Sequence, residues 1–113
     1  MDDTEDLLFL NKHSCSSAGR YTAEFLGIDK DDYNVYLKFM PIEFRCRGMK
    51  TEPILVMLNK PYTNVVSKRG KQFVNLCKGA HNFNQVIGKR VTVDIVFICN
   101  GIPYIKRIYE MED

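Results

Sequence analysis

A chain of 113 residues, 45% of them hydrophobic, is long enough to build one domain around one small core and too short for two domains. No apolar run reaches the length of about 18 residues that a membrane span needs, so the sequence predicts none. The acidic start, Met-Asp-Asp-Thr-Glu-Asp, has the wrong sign for a secretory signal peptide. We therefore expect a cytoplasmic protein.

The net charge of +2 conceals an uneven distribution of charge along the chain. Between Arg45 and Arg90 the sequence has ten basic residues and one acidic residue, Glu52, whereas half of the acidic residues lie at the two ends. For any single lysine or arginine, a solvated surface position is the simpler interpretation. A compact domain with this imbalance nevertheless repels itself unless an anion compensates it, and the commonest such partner is a nucleic-acid backbone.

The first half of the chain alternates between apolar and polar residues, which is typical of half-buried strands. The pattern predicts a first strand over residues 20–28, a turn over 29–32 and one long second strand over 33–47. Pro41 interrupts that second strand and indicates a bend, because proline cannot donate to a central ladder. A third strand is predicted over 53–58.

The period changes after a polar, basic loop over residues 59–70. Apolar residues over 71–81 follow the stripe of an amphipathic helix, with Ser67 as a plausible N-cap and an end near Gly79 or Asn82. A fourth strand over 91–99 leads into Asn100-Gly101, a strong hairpin signal, and a return strand over 102–109. The phenylalanines predicted to lie in the core are Phe25, Phe39, Phe73 and Phe97.

Strand, long bent strand, strand, helix, strand, strand is the element order of the OB-fold barrel. The fold class predicted is therefore mainly β, a five-stranded OB barrel with one helix between strands 3 and 4. An SH3-like barrel usually lacks the helix, and an open α+β sheet is the structural alternative. The predicted organisation is an acidic and polar segment over 1–18, the OB domain over 19–109 and an acidic end over 110–113.

Three stretches carry a resemblance to a known family. They are Gly19-Arg20-Tyr21-Thr22-Ala23, the stretch from Lys68-Arg69-Gly70-Lys71 to Leu76-Cys77-Lys78-Gly79-Ala80, and Val86-Ile87-Gly88-Lys89-Arg90-Val91. The pattern resembles small phage-encoded single-stranded-DNA-binding proteins with an OB fold, over about residues 19–109. The resemblance implies sequence-independent binding of single-stranded DNA in replication or recombination of a phage or mobile element, in the host cytosol. The end over 109–113 departs from the family's longer acidic tail with a terminal aromatic.

Proteins that bind single strands combine a positive groove with aromatic rings on which bases stack. In OB folds the ligand crosses strands 2 and 3, between the first and last hairpin loops. Tyr36, on the polar face of the second strand, is the ring whose exposure this pattern favours most. Tyrosine is common on strands without any ligand, so the rings alone decide nothing. The predicted nucleic-acid-binding residues are Tyr36, Lys38, Arg45, Arg47, Lys50, Lys60, Tyr62, Lys68, Arg69, Lys71, Tyr104 and Lys106.

Neither catalysis nor a bound cofactor is predicted. The chain has no glycine-rich phosphate loop, and neither of its two histidines belongs to a recognisable motif. Cys77 and His81 are four residues apart, but zinc would need two further ligands from distant positions, so no metal is expected. Cys46, Cys77 and Cys99 are interpreted as small buried residues.

The alternative function is that of a protein-binding module on the same fold, such as an inhibitor of a host enzyme or a subunit of an assembly, because a fold does not determine a function. The apolar patch Leu7-Leu8-Phe9-Leu10 between acidic residues favours this alternative. The acidic ends are candidate contacts for a replication or recombination protein. DNA versus RNA preference stays open, and so does assembly into a homo-oligomer.

Overall fold

The computed structural model describes residues 16–45, 52–99 and 101–112. These residues form five strands, one α-helix and one short 3-10 helix, so the predicted mainly β class with a helix between the third and fourth strands is confirmed. The elements are β1 Gly19–Lys30, β2 Val35–Pro41, β3 Ile54–Met57, α1 Lys68–Leu76, the 3-10 helix Phe83–Val86, β4 Arg90–Ile98 and β5 Ile102–Met111. No helix of the described residues is long and apolar enough to cross a membrane.

All five strands belong to one antiparallel sheet with the order β3-β2-β1-β4-β5. The long strand β1 lies in the middle and pairs with β2 along its second half and with β4 along its first half. The edge strands β3 and β5 lie close to each other, and α1 packs against both. Within the described ranges no ladder joins β3 to β5, so hydrogen bonds do not close the sheet into a barrel.

The second strand is shorter than the sequence predicts. One strand bent at Pro41 was expected over residues 33–47, but β2 ends at Pro41. The Ile42 N–H still donates to the Thr22 carbonyl of β1 at 2.8 Å, and Glu43 then adopts a positive φ of 55° that no strand can continue. Residues 46–51 lie outside the described residues.

A serine cap determines where the helix begins. Ser67 Oγ accepts from the Gly70 N–H at 3.0 Å, as predicted, and donates to the Met57 carbonyl at the end of β3 at 2.6 Å. The helix consequently begins at Lys68 and ends at Leu76, earlier at both ends than the predicted 71–81. The apolar stripe beyond the helix belongs to turns, where the Cys77 N–H still bonds to Phe73.

The core lies between the curved sheet and α1. Phe25, Phe39 and Phe73 are fully buried and their rings pack against one another, as predicted, whereas Phe97 is half-buried. The prediction of buried cysteines was wrong for Cys99, which is exposed beside the hairpin turn because β4 has already ended there. Cys77 is half-buried, and Cys46 lies outside the described residues.

Bulges interrupt the predicted alternation in β5. A hairpin turn that contains Gly101, whose φ is 88°, joins β4 to β5. Ile98 and Ile102 lie opposite each other beside this turn. The register between β4 and β5 shifts between Asp94 and Ile95. Ile105 and Ile108 are therefore both buried, although strict alternation would place two residues three positions apart on opposite faces. Lys106 and Arg107 therefore lie side by side on the exposed surface instead of on opposite faces.

Candidate nucleic-acid interface

Two tyrosine rings are exposed where β1 turns into β2. Tyr33 is 68% exposed and Tyr62 is 78% exposed, and their rings meet edge to face with centroids 5.4 Å apart. Tyr62 was predicted as a stacking ring. Tyr33 was not, because the alternating pattern placed it on the apolar face of a strand that in fact begins two residues later, at Val35. These two rings are the tyrosine pair.

The loop that carries Tyr62 is built around one asparagine. This tyrosine loop, residues 59–66, is closed by a bridge between Asn59 and Val66 and by a hydrogen bond from the Lys60 N–H to the Val65 carbonyl at 2.7 Å. Asn59 Oδ1 accepts from the Val35 N–H at 2.9 Å, and its Nδ2 donates to the Thr63 carbonyl at 2.8 Å. The loop is thereby fixed to the start of β2.

Tyr62 has a left-handed backbone, with φ of 58°. For a residue with a side chain this conformation costs about 1–2 kcal/mol, and it persists only where the surrounding structure imposes it. The Tyr62 N–H donates to Asn34 Oδ1 at 3.4 Å, and Asn59 Nδ2 binds the same oxygen at 3.3 Å. These contacts hold the Tyr62 backbone in its left-handed conformation, with the ring exposed to solvent.

Tyr36, which was expected to be exposed, is less exposed than Tyr33 and Tyr62. It is half-buried, and its hydroxyl donates to Asp31 Oδ2 at 2.9 Å. Hydrogen bonds from the Tyr33 and Asn34 N–H groups to Asp31 Oδ1 lower the pKa of that carboxyl, and the hydrogen bond to Asp31 raises the pKa of Tyr36. Tyr36 therefore holds the turn that displays Tyr33.

Lys38 and Arg45 show different environments. Lys38 is half-buried on the outer face of β2, opposite Leu55 of β3. Arg45 is exposed, and its backbone exchanges two hydrogen bonds with Ser16, of 2.8 and 2.9 Å. The remaining two predicted residues of this region, Arg47 and Lys50, lie outside the described residues.

A groove of about 310 Å³ lies beside the first turn of α1, along the exposed side of β5. We call it the α1–β5 groove; its lining residues are Lys68, Gln72, Asp94, Lys106, Arg107 and Tyr109. Lys68 and Lys106 were predicted to bind nucleic acid, and the structure brings them together. Arg107 was missed, because the register shift that turns it outward leaves no trace in the sequence pattern.

The acidic residue in this groove is already compensated. Arg20 Nε donates to Asp94 Oδ1 at 3.4 Å, and the Tyr109 hydroxyl donates to Asp94 Oδ2. The hydrogen bond from Tyr109, followed by the one from Arg20, lowers the pKa of Asp94. The Arg20 guanidinium also lies over the Tyr109 ring, 4.2 Å from its centroid. Asp94 thus acts as a fixed acceptor inside this network.

The three cations of the groove form no close ion pair of this kind. Among the described residues, Arg20 with Asp94 is the one ion pair closer than 4.0 Å, so no carboxylate there pairs with Lys68, Lys106 or Arg107. Lys68 and Lys106 are exposed, and Arg107 lies 5.6 Å from the Tyr109 ring centroid. The groove therefore holds three cations that form no close ion pair, and of these Arg107 acts on Asp94 at longer range.

Arg69 and Tyr104, both predicted to bind nucleic acid, contact each other. The Arg69 guanidinium lies 4.4 Å from the Tyr104 ring centroid and donates to the Ile105 carbonyl at 2.9 Å. Burial lowers the pKa of Arg69, and both side chains are half-buried. With the bond from the Ile108 N–H to Gln72 Oε1 at 3.0 Å, this contact fixes α1 to the free edge of β5.

The tyrosine loop and the groove are neighbours along the chain. Six residues lead from Tyr62 to Lys68, so their Cα atoms are at most about 21 Å apart. Six nucleotides span about the same distance at the duplex spacing of about 3.4 Å per nucleotide. Lys60 and Tyr62 lie in the tyrosine loop, and Lys68 is the first residue of α1. Lys71, three residues after Lys68 in the same helix, is also exposed.

Comparisons of the chain with protein-family models, with curated proteins and with solved structures gave no match. Within the described residues, no group of three or more histidine, cysteine, aspartate or glutamate side chains is arranged to hold a metal ion. The candidate site consists of an exposed aromatic pair and a groove whose three cations form no close ion pair.

Proposed function

We propose that this chain is a non-catalytic protein that binds single-stranded nucleic acid, DNA in the first instance, with little sequence preference. The observation that carries the proposal is the presence of two complementary features, the tyrosine pair and the α1–β5 groove, which only six residues of the chain separate at Tyr62 and Lys68. Exposed tyrosine rings offer stacking surfaces to bases of any identity, and the cationic groove offers contacts to the backbone. A duplex buries the faces of its bases, so the tyrosine pair favours unpaired strands.

The fold is compatible with this function. The strand order, with β1 between β2 and β4 and with β3 and β5 close together, fits a five-stranded OB barrel that is partly open between its edge strands. Together with the resemblance of residues 19–109 to phage single-strand binders, it favours a role in replication or recombination of a phage or mobile element, in the host cytoplasm. One OB fold typically covers about 4–16 nucleotides.

A binding measurement across a salt series tests the proposal. Fluorescence anisotropy with a labelled single strand of about 15 nucleotides should show log affinity falling linearly with log salt, with a slope of about −0.7 for each phosphate neutralised. Lys60 and the three cations of the groove together predict a slope of about −2.8. The matching duplex should bind more weakly, because its bases cannot reach the tyrosine pair.

Two results would contradict the proposal. The first is the absence of binding to single-stranded DNA and RNA at about 50 mM salt. The second is equal affinity for single strand and duplex, which would leave only a non-specific electrostatic attraction. A strand of abasic sites with the same number of phosphates is the matched control, since it keeps the charge and removes the stacking.

A further inference from the structure

The free side-chain hydrogen-bonding groups of the α1–β5 groove are mostly donors. Lys68, Lys106 and Arg107 contribute charged donors and no acceptor. Gln72 uses its Oε1 to accept from the Ile108 N–H, so its amide offers the Nε2 donors to the groove, and those have no partner among the described residues. The side-chain acceptors in the lining already take part in hydrogen bonds: Gln72 Oε1 accepts from Ile108, and both Asp94 oxygens accept, one from Arg20 and one from the Tyr109 hydroxyl.

A lining of this kind matches a ligand that carries only acceptors and a negative charge. Phosphate has that chemistry, and arginine with lysine is the usual pair that binds it. The groove is concave, and its volume of about 310 Å³ leaves room for a phosphate group with part of the attached sugar. Two fixed contacts, from Arg69 to Ile105 and from Ile108 to Gln72, hold the two walls in place without a ligand.

We infer that the α1–β5 groove is a discrete phosphate-binding site, in which Gln72 and Arg107 act together with Lys68 and Lys106. The inference rests on the proposed function only for the source of the phosphate, which is either an internal phosphodiester of the bound strand or the phosphate at its end. The site is separate from the tyrosine pair, so binding of phosphate here needs no base.

The direct test uses inorganic phosphate as the probe. In nitrogen-15 NMR spectra, the Gln72 side-chain amide and the Arg107 Nε signal should shift and saturate with phosphate at constant ionic strength, whereas chloride should not produce the shift. The variant Lys106→Gln/Arg107→Gln should lose the response. Its matched control is Lys78→Gln/Lys89→Gln, which removes two exposed positive charges from another part of the surface and should keep the response.

Oligonucleotides identify the source. Removing two phosphate contacts should weaken binding of an unphosphorylated strand about 60-fold at about 50 mM salt and reduce the salt slope by about 1.4. That result assigns an internal phosphodiester to the groove. If instead a 5′- or 3′-phosphorylated strand binds more tightly than the unphosphorylated strand, and only that gain is lost in the groove variant, the groove takes the terminal phosphate.

The failure of this inference is distinguishable from the failure of the proposed function. A saturable response to inorganic phosphate without any binding of oligonucleotides keeps the phosphate site and contradicts strand binding. Normal binding of every oligonucleotide by Lys106→Gln/Arg107→Gln, with no phosphate response of Gln72 in the wild type, overturns the phosphate site and leaves strand binding to the tyrosine pair.

Discussion

Replacing Tyr62 by alanine isolates the contribution of one exposed ring. A ring that stacks on a base contributes about 1–3 kcal/mol, so Tyr62→Ala should weaken binding of a single strand about 5- to 150-fold. The ring is 78% exposed, so its removal should change the free energy of unfolding by no more than about 0.5 kcal/mol. Alanine keeps the Cβ atom, which causes the strain of the left-handed backbone at φ 58°. The substitution should therefore leave that strain unchanged.

The assay is anisotropy at fixed salt, with urea unfolding of each variant to verify its stability. Tyr62→Phe is the control, because it keeps the stacking surface and should bind within about twofold of the wild type. Tyr33→Ala and the double variant Tyr33→Ala/Tyr62→Ala complete a double-mutant cycle. If both rings contact the same base, the losses of binding free energy in the single variants should not add up to the loss in the double variant. Wild-type affinity in a folded Tyr62→Ala protein would refute the stacking argument.

Three further changes have expected outcomes. Gly70→Ala should destabilise the fold by about 1–3 kcal/mol in urea unfolding, because the added Cβ would lie 2.5 Å from the Leu58 carbonyl oxygen; equal stability would show that α1 can shift. Asp94→Asn should steepen the salt slope for single strands by up to about 0.7, since it frees the charge of Arg20; a shallower slope would contradict this. The pKa of Asp94 is lower in the folded state than its ordinary value of 3.8. The ionised Asp94 side chain therefore stabilises the fold fully above pH 3.8, and this stabilisation is lost as the pH falls from there through the folded-state pKa. Asp94→Asn should consequently make the free energy of unfolding less sensitive to acid. Asn59→Ala should speed hydrogen exchange of the Val65 amide relative to that of the Phe25 amide in β1, because the side-chain hydrogen bonds of Asn59, which fix the tyrosine loop to the start of β2, are lost.

The parts of the fold that follow from local rules could be predicted. Apolar alternation identified β1 and β4, Asn100-Gly101 identified the hairpin, and Ser67 identified the helix cap. Each of these signals depends on residues close together in the sequence, whose side-chain chemistry acts on their own backbone. The burial of Phe25 and Phe39 followed from strand alternation, and that of Phe73 followed from the apolar stripe of the helix.

The candidate site depends on register shifts and on long-range contacts, which the sequence does not display. The register shift in β5 turns Lys106 and Arg107 to the same side of the sheet. The packing of α1 against β5 places Arg69 of the helix over the Tyr104 ring of the strand. Tyr33 is exposed because β2 begins only at Val35, where Asn59 accepts its N–H from 24 residues away. Alternation alone could not indicate any of these three outcomes.

The most direct test of the account is a map of the surface that one single strand covers. Nitrogen-15 NMR spectra of the protein, titrated with an unphosphorylated strand of about 15 nucleotides, report every backbone amide of the two features at once. The account predicts that Tyr33 and Tyr62 shift together with Lys106 and Arg107, with one shared dissociation constant. Shifts confined to one of the two features, or shifts with different dissociation constants, would contradict the claim that one strand contacts both.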